Sequence, residues 1–172
     1  LAVLVAVGVL SLTVAGYQRQ ERPRPKTPDI RNVKENLYII GGSQPEDPTT
    51  FTGGNTFAWI TEKGVVVVDT KNPGFGQTIL DLIKTVTNKP IVMVLNSHGH
   101  SDHAGSNVEF PPTAEFITHE NIKAMWAKTS CPPVATCDKF KGDNIKYLPK
   151  KTFKDKLSLL GGKERIDLYY FG

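Results

Sequence analysis

A chain of 172 residues has room for one domain and enough length to bury a substantial core. With 39% hydrophobic and 22% charged residues, it lacks the polar, charge-heavy composition that keeps chains disordered. Its formal charge of +4 gathers mainly in RQERPRPK (Arg19 to Lys26) and KYLPKKTFKDK (Lys146 to Lys156), broken runs with little aromatic surface, so a small-molecule partner is favoured over nucleic acid.

In chain order, LAVLVAVGVLSLTVAG (Leu1 to Gly16) carries no charge and falls short of the ~20 residues that span a bilayer comfortably. It has the length of a secretory h-region, with the small residues Ala15 and Gly16 where cleavage could fall. We therefore expect residues 1–16 to be a signal peptide or a short membrane anchor, and the protein to be periplasmic or secreted. The missing starting Met and basic flank lead us to expect further sequence upstream. Residues 17–36 (YQRQERPRPKTPDIRNVKEN) are polar and proline-bearing. Each Pro removes a donor and pushes its predecessor toward extended geometry, so a linker is expected there.

From Leu37 the pattern becomes orderly, and residues 37–172 read as the folded domain. LYII (Leu37 to Ile40) predicts a strand, followed by a Gly/Pro-rich loop from Gly41 to Gly54 whose Phe51 could touch an apolar substrate. NTFAWI (Asn55 to Ile60) and VVVVD (Val65 to Asp69) predict a hairpin with Gly64 in the strained turn position. Four consecutive valines suit a strand buried on both faces. FGQTILDLIKTVT places Phe75, Ile79, Leu82, Ile83 and Val86 at helical spacing. PIVMVLN (Pro90 to Asn96) predicts a central strand, AEFITH (Ala114 to His119) another, and ENIKAMWAK a helix. KLSLL, GGKE and RIDLYYF predict a second hairpin. Together these elements give an α/β fold with sheet at its centre.

Where the Pro90–Leu95 strand ends, the chain reads NSHGHSDHAG, which holds three of its four histidines. In an extended chain His98, His100 and Asp102 would share a face, and a turn at Asp102-His103 would bring a fourth donor alongside. Gly99 and Gly105 leave the backbone free to wrap an ion. Imidazole with carboxylate suits zinc, with iron and manganese as the other candidate occupants. The i, i+2 spacing excludes a helix-borne HExxH pair. No thiol is near enough in sequence for a cysteine-rich structural zinc site. Two further residues have two readings each. His119, at a strand–helix junction, suits a cap or packing role better than ligation. Asp69 is either a turn-initiating Asp or a buried strand-end carboxylate that needs a partner.

Cys131 and Cys137 bracket CPPVATC. In an exported protein, such a pair suggests a disulfide, whose short loop would contribute roughly 2–2.5 kcal/mol on the chain-entropy model. Two free thiols in a surface loop are the alternative.

HGHSDH (His98 to His103) resembles the His-x-His-x-Asp-His signature of the metallo-β-lactamase superfamily. The context is similar too: a hairpin ending in VDT, a helix, then an apolar strand running into Asn-Ser-His. The resemblance implies that the chain from Leu37 to Gly172 is the N-terminal half of a metallo-β-lactamase-like αβ/βα sandwich. It implies that His98 and His100 hold one ion, and Asp102 and His103 a second. It further implies that Asp69 lies beneath the loop and that Asp102 orients a metal-activated hydroxide. The implied function is a dizinc hydrolase acting on a carbonyl substrate such as a β-lactam, lactone or ester. An iron-dependent oxidoreductase and a non-catalytic metal-binding chain are the alternatives. In relatives further ligands follow the second hairpin, so the resemblance places the remaining ligands beyond residue 172. It also leads us to expect a C-terminally truncated sandwich with one sheet face uncovered.

Overall fold

The computed structural model describes residues 26–27, 29–43, 50–132, 134–135 and 137–172. The expected signal segment and half of the expected linker lie outside the described residues. Seven strands form one sheet in sequence order: β1 (Ile30–Lys34), β2 (Leu37–Ile40), β3 (Thr56–Ile60), β4 (Val65–Val68), β5 (Ile91–Leu95), β6 (Glu115–His119) and β7 (Lys151–Phe153). β1 to β4 run antiparallel to their neighbours, and β4 to β7 run parallel. The parallel steps need crossovers, supplied by helix α1 (Gly76–Lys84), by the short α2 (Ser101–Ala104) and by α3 (Glu120–Trp126) with the turns that follow it. Among the described residues, no helix is long and apolar enough to cross a membrane.

The valine run behaves as a strand buried on both faces. Val65 and Val67 point into the larger core with Val94, Ile79 and Ile83, while Val66 points to the other face with Met93 and Leu95. Val65, Val66 and Val67 are all fully buried, and each such side chain contributes roughly 1.5–3 kcal/mol. Gly64 closes the β3–β4 hairpin at φ 148°, where a Cβ would lie 2.6 Å from the Pro90 carbonyl oxygen. No other residue fits that turn.

Three expectations change. Residues 30–34, expected as linker, are the edge strand β1, turned into β2 by Asn36 at φ 60°. IRNVK shows no buried alternation because β1 is exposed from Arg31 to Lys34; backbone pairing rather than burial defines it. Residues 151–153, in the basic stretch, form edge strand β7. Part of the sheet face expected to be uncovered is covered. Strands β8 (Lys156–Leu159) and β9 (Ile166–Tyr169) pair as the second hairpin, which packs Leu157, Leu159, Ile166 and Leu168 over Val66, Met93, Leu95 and Ile117.

Candidate metal centre

The histidine loop leaves the C-terminal end of β5, beside the end of β4. Ser97 to Gly99 bend, and His100, with φ and ψ of −76° and 154°, is the extended residue before α2. The chain then turns helical: Ala104 N–H donates to the His100 carbonyl at 3.0 Å and Gly105 N–H to that of Ser101 at 2.8 Å. The expected continuous extension is thus replaced by one helical turn. The consequence is useful, because successive residues on a helix diverge by about 100°. Asp102 turns toward His98 and His100, while His103 turns inward.

Donor atoms of His98, His100 and Asp102 all lie within 4.8 Å of one another. The His98 ring lies 4.8 Å from that of His100 and 4.1 Å from that of His103. His103 Nε2 is 3.4 Å from Asp102 Oδ2. The four side chains therefore converge, with Asp102 near both the His-x-His pair and His103.

Asp69 organises the inner side. It is 5% exposed and left-handed at φ 61°, a conformation Asp tolerates better than most residues. Its Oδ1 accepts from Ser97 N–H at 2.8 Å, and its Oδ2 accepts from the Ser97 hydroxyl at 2.6 Å. Oδ2 also meets His103 Nδ1 at 2.7 Å. That contact assigns the Nδ1 proton to His103 and leaves Nε2 free to ligate, the carboxylate–imidazole pairing that orients metal-binding histidines. Ser97 extends the pattern: its hydroxyl donates to Asp69, so its oxygen accepts from His98 Nδ1 at 3.0 Å. Asp69 thus fixes both imidazoles, and the turn reading describes only its backbone.

The two imidazoles titrate in opposite directions. The hydrogen bond to Asp69 holds the His103 pKa above its usual value, against burial. Burial, followed by the neighbouring charge of His103, pushes His98 down.

Beneath the loop lies a polar layer that sequence reasoning missed. Asn107 is fully buried and donates to Asn96 Oδ1 at 2.7 Å, while its own Oδ1 accepts from the Thr70 hydroxyl at 2.8 Å. Asn96 Nδ2 and Thr70 N–H both donate to the His103 carbonyl, at 3.2 and 2.7 Å. Lys71 was missed as well. It is fully buried at φ 63°, and its ammonium donates to the carbonyls of Gly41 and Gly54 at 2.7 Å each, tying both ends of the 41–54 loop. Burial lowers its pKa to about 8. Gly54 in turn donates its N–H to the Asp102 carbonyl at 2.8 Å and lies flat against His103, where a Cβ would sit 2.3 Å from Cε1. The one available sequence signal was a lysine directly following VVVVDT, where an ordinary surface lysine would be out of place.

His119 stands apart from the cluster. Its Nδ1 accepts from Asn121 N–H at 3.2 Å, capping α3, and its Nε2 donates to the Lys154 carbonyl at 2.7 Å. Both nitrogens are used, as a capping role requires. Cys131 and Cys137 form a disulfide. A cleft of about 460 Å³ opens beside His98, lined chiefly by Ile122, Met125, Phe153, Tyr169 and Tyr170. Phe51 is half-buried and is not among the lining residues.

Sequence comparison bears on this geometry. The family model described as the metallo-beta-lactamase superfamily matches residues 49–125, which run from the loop before β3 through the histidine cluster into α3. Over those residues the chain is similar to the metallo-beta-lactamase superfamily. The rat (Rattus norvegicus) metallo-beta-lactamase domain-containing protein 1 is 31% identical over 85 residues, covering 48% of this chain and 34% of that protein. Its mouse (Mus musculus) counterpart is 31% identical over 75 residues, covering 42% of this chain and 29% of that protein. The match thus spans about a third of these relatives' length. Among solved structures, a metallo-beta-lactamase from Pontibacter korlensis superposes with a TM-score of 0.63 at 18% identity, covering 84% of this chain and 60% of that one. The class B3 di-zinc metallo-beta-lactamase LRA-12 from an Alaskan soil metagenome gives 0.59 at 19% identity, covering 83% and 51%. At these identities the superpositions show a shared metallo-beta-lactamase fold.

Proposed function

We propose that the protein is a dizinc hydrolase of a small carbonyl substrate such as a β-lactam, lactone or ester. The observation that carries this reading is the convergence of His98, His100 and Asp102 within 4.8 Å, on a loop whose fourth donor, His103, is oriented by Asp69. Borderline-soft imidazole with hard carboxylate is a donor set that fits zinc. His98 and His103 both have Nδ1 engaged, so Nε2 is the nitrogen each offers. In this reading His98 and His100 hold one ion, and Asp102 and His103 the other. When bound, the two ions would polarise the substrate carbonyl and make hydroxide available near neutral pH.

The chain's own residues do the rest. Asp102, about a third exposed, accepts a hydrogen bond from the attacking water and fixes its approach. Asp69 keeps the proton of His103 on Nδ1, away from the reacting side. The apolar lining of the cleft beside His98, from Ile122, Met125 and Phe153, supports a neutral, apolar substrate. An extracytoplasmic setting belongs to the same proposal. The Cys131–Cys137 disulfide supports it, since such bonds persist in oxidising compartments, as does the apolar Leu1–Gly16 segment.

The deciding experiment is metal analysis of the full-length protein, with a hydrolysis panel of chromogenic cephalosporin, lactone and aryl ester. Zinc binding with chelator-sensitive turnover of one class is expected. Iron with oxygen consumption would move the assignment to an oxidoreductase on the same fold, and no metal at micromolar zinc would end it.

A further inference from the structure

The inner side of the metal loop is held by side chains, but among the described residues no side chain hydrogen-bonds the His100 ring. What holds His100 is its backbone, and the partner is the cysteine-bracketed segment. His100 forms an isolated antiparallel bridge with Ala135, and Ser101 N–H donates to the Val134 carbonyl at 2.7 Å. Ser101 N–H is the first amide of α2, which has no partner within its own helix. A second tie runs through Trp126, whose indole N–H donates to the Gly99 carbonyl at 3.2 Å and whose ring stacks on Phe140 at 4.6 Å. Phe140 ends the 3-10 turn that begins at Cys137.

The segment is rooted on one side only. Cys137 is fully buried, whereas Val134 is 55% exposed. Ala135 N–H donates to the Pro132 carbonyl at 2.8 Å, and Cys137 N–H to Cys131 Sγ at 3.2 Å. With so little of Val134 buried, apolar packing cannot repay the entropy of fixing the tip. The covalent bridge removes part of that cost in advance, roughly 2–2.5 kcal/mol on the chain-entropy model.

We propose that the disulfide-closed segment Cys131–Cys137 braces the outer side of the metal loop, so that the two cysteines are positioning residues for His100 and Asp102. The proposal rests on the metal reading of the loop given above. Opening the bridge frees Val134, deprives Ser101 N–H of its acceptor and loosens the turn that brings Asp102 toward His98 and His100. The β-sheet is untouched, because no strand residue bonds to this segment among the described residues.

The test compares the full-length protein with its disulfide intact, opened by a water-soluble phosphine, and absent in the double variant Cys131→Ser/Cys137→Ser. The phosphine gives two electrons to the S–S bond, which opens to two thiols. It leaves as phosphine oxide, with water supplying the oxygen and both protons, and is removed anaerobically before any metal is added. Two quantities are read: amide exchange at Ser101, and the affinity for cobalt(II), used as the spectroscopic probe. Opening the bridge should weaken cobalt(II) binding about tenfold, the scale of losing an outer support, and speed Ser101 exchange while the Val66 and Val94 amides stay protected. Cobalt(II) affinity unchanged within about twofold, or tightened, overturns the brace. Unchanged Ser101 exchange overturns it as well. So does a collapse of strand protection on opening, which would make the bridge a prop of the whole fold. If the double variant does not fold, the phosphine-treated wild type decides between these outcomes. If the oxidised protein binds no cobalt(II), the metal reading fails by itself, and Ser101 exchange still decides whether the segment braces the loop.

Discussion

His103 and His100 sit three residues apart on one loop, yet they are held in different ways. His103 is pinned by a side-chain hydrogen bond from Asp69, by the Asn96–Asn107–Thr70 layer under its carbonyl and by Gly54 against its ring. His100 is exposed and is steadied through backbone contacts to the segment around Val134. One side is preorganised at the cost of burying polar groups that must all be satisfied. The other stays exposed, with no side chain hydrogen-bonded to its ring among the described residues. A site that must hold a cation firmly and still admit substrate has reason to combine both.

The largest effect should come from Asp102, where the two sides meet. Asp102→Ala is expected to lower turnover by about 10²–10⁴ on whichever substrate class responds, with circular dichroism and melting unchanged. Activity within a few fold of wild type would remove Asp102 from the chemistry.

Next comes the inner side. Asp69→Asn keeps the left-handed backbone but places an amide N–H opposite His103 Nδ1, which drives the ring proton onto Nε2. Zinc affinity should fall about 10–100-fold, measured by competition with a chromogenic chelator. A variant that binds as well as wild type would show that His103 is not oriented through this carboxylate.

The pH dependence sharpens the same contrast. Because Asp69 raises the His103 pKa, the stability from that pair is fully present below the unfolded value of 6.5 and is lost as pH rises through the folded pKa. Metal must displace the second ring proton of the imidazolium, on Nε2, so zinc affinity should climb with pH, by about tenfold per unit while His103 remains doubly protonated. His98, shifted downward, adds no competing proton near neutrality. The metal-free fold therefore loses the pair's contribution across the window in which metal binding gains. An affinity that is flat from pH 5.5 to 8 would be incompatible with His103 as a ligand.

Asn107→Ala leaves Asn96 Oδ1 without its partner in a buried site and the Thr70 hydroxyl with only its 3.4 Å contact to the His103 carbonyl, which should cost about 1–3 kcal/mol in urea unfolding. Its effect on zinc affinity should be smaller than that of Asp69→Asn, because Asn107 supports the loop carbonyl rather than the ligand nitrogen. The smallest effect on zinc affinity is expected at His119. His119→Ala should cost about 1–3 kcal/mol, as a lost helix cap and a Lys154 carbonyl left without its donor, and leave zinc affinity unchanged. Weakened zinc binding there would add His119 to the ligand set and break the inner–outer division.

Much of this was legible beforehand. The Val65–Val68 run, the Ile91–Leu95 run and the α1 periodicity are strong local signals, because each residue's own hydrophobicity decides its place. The strands at Ile30–Lys34 and Lys151–Phe153 were not legible. They sit at sheet edges, exposed or half-buried, and exist because a neighbour offers its backbone. Lys71 and Asn107 escaped for a related reason. A buried lysine or asparagine is tolerable only when its partners are in place, and those partners, Gly41, Gly54, Asn96 and Thr70, are 11 to 37 residues away in the chain.

The sequence by itself determined which donors the loop owns and that an apolar strand delivers them, since both follow from residue type and local spacing. Only the tertiary structure decided what those donors can do. It replaced the expected extension with a helical turn, sending Asp102 one way and His103 the other. It brought Asp69 across 34 residues to hold the His103 proton. Spacing along a chain fixes which groups are close in sequence. Which nitrogen carries a proton depends on the hydrogen-bond partner opposite it, and only folding supplies that partner.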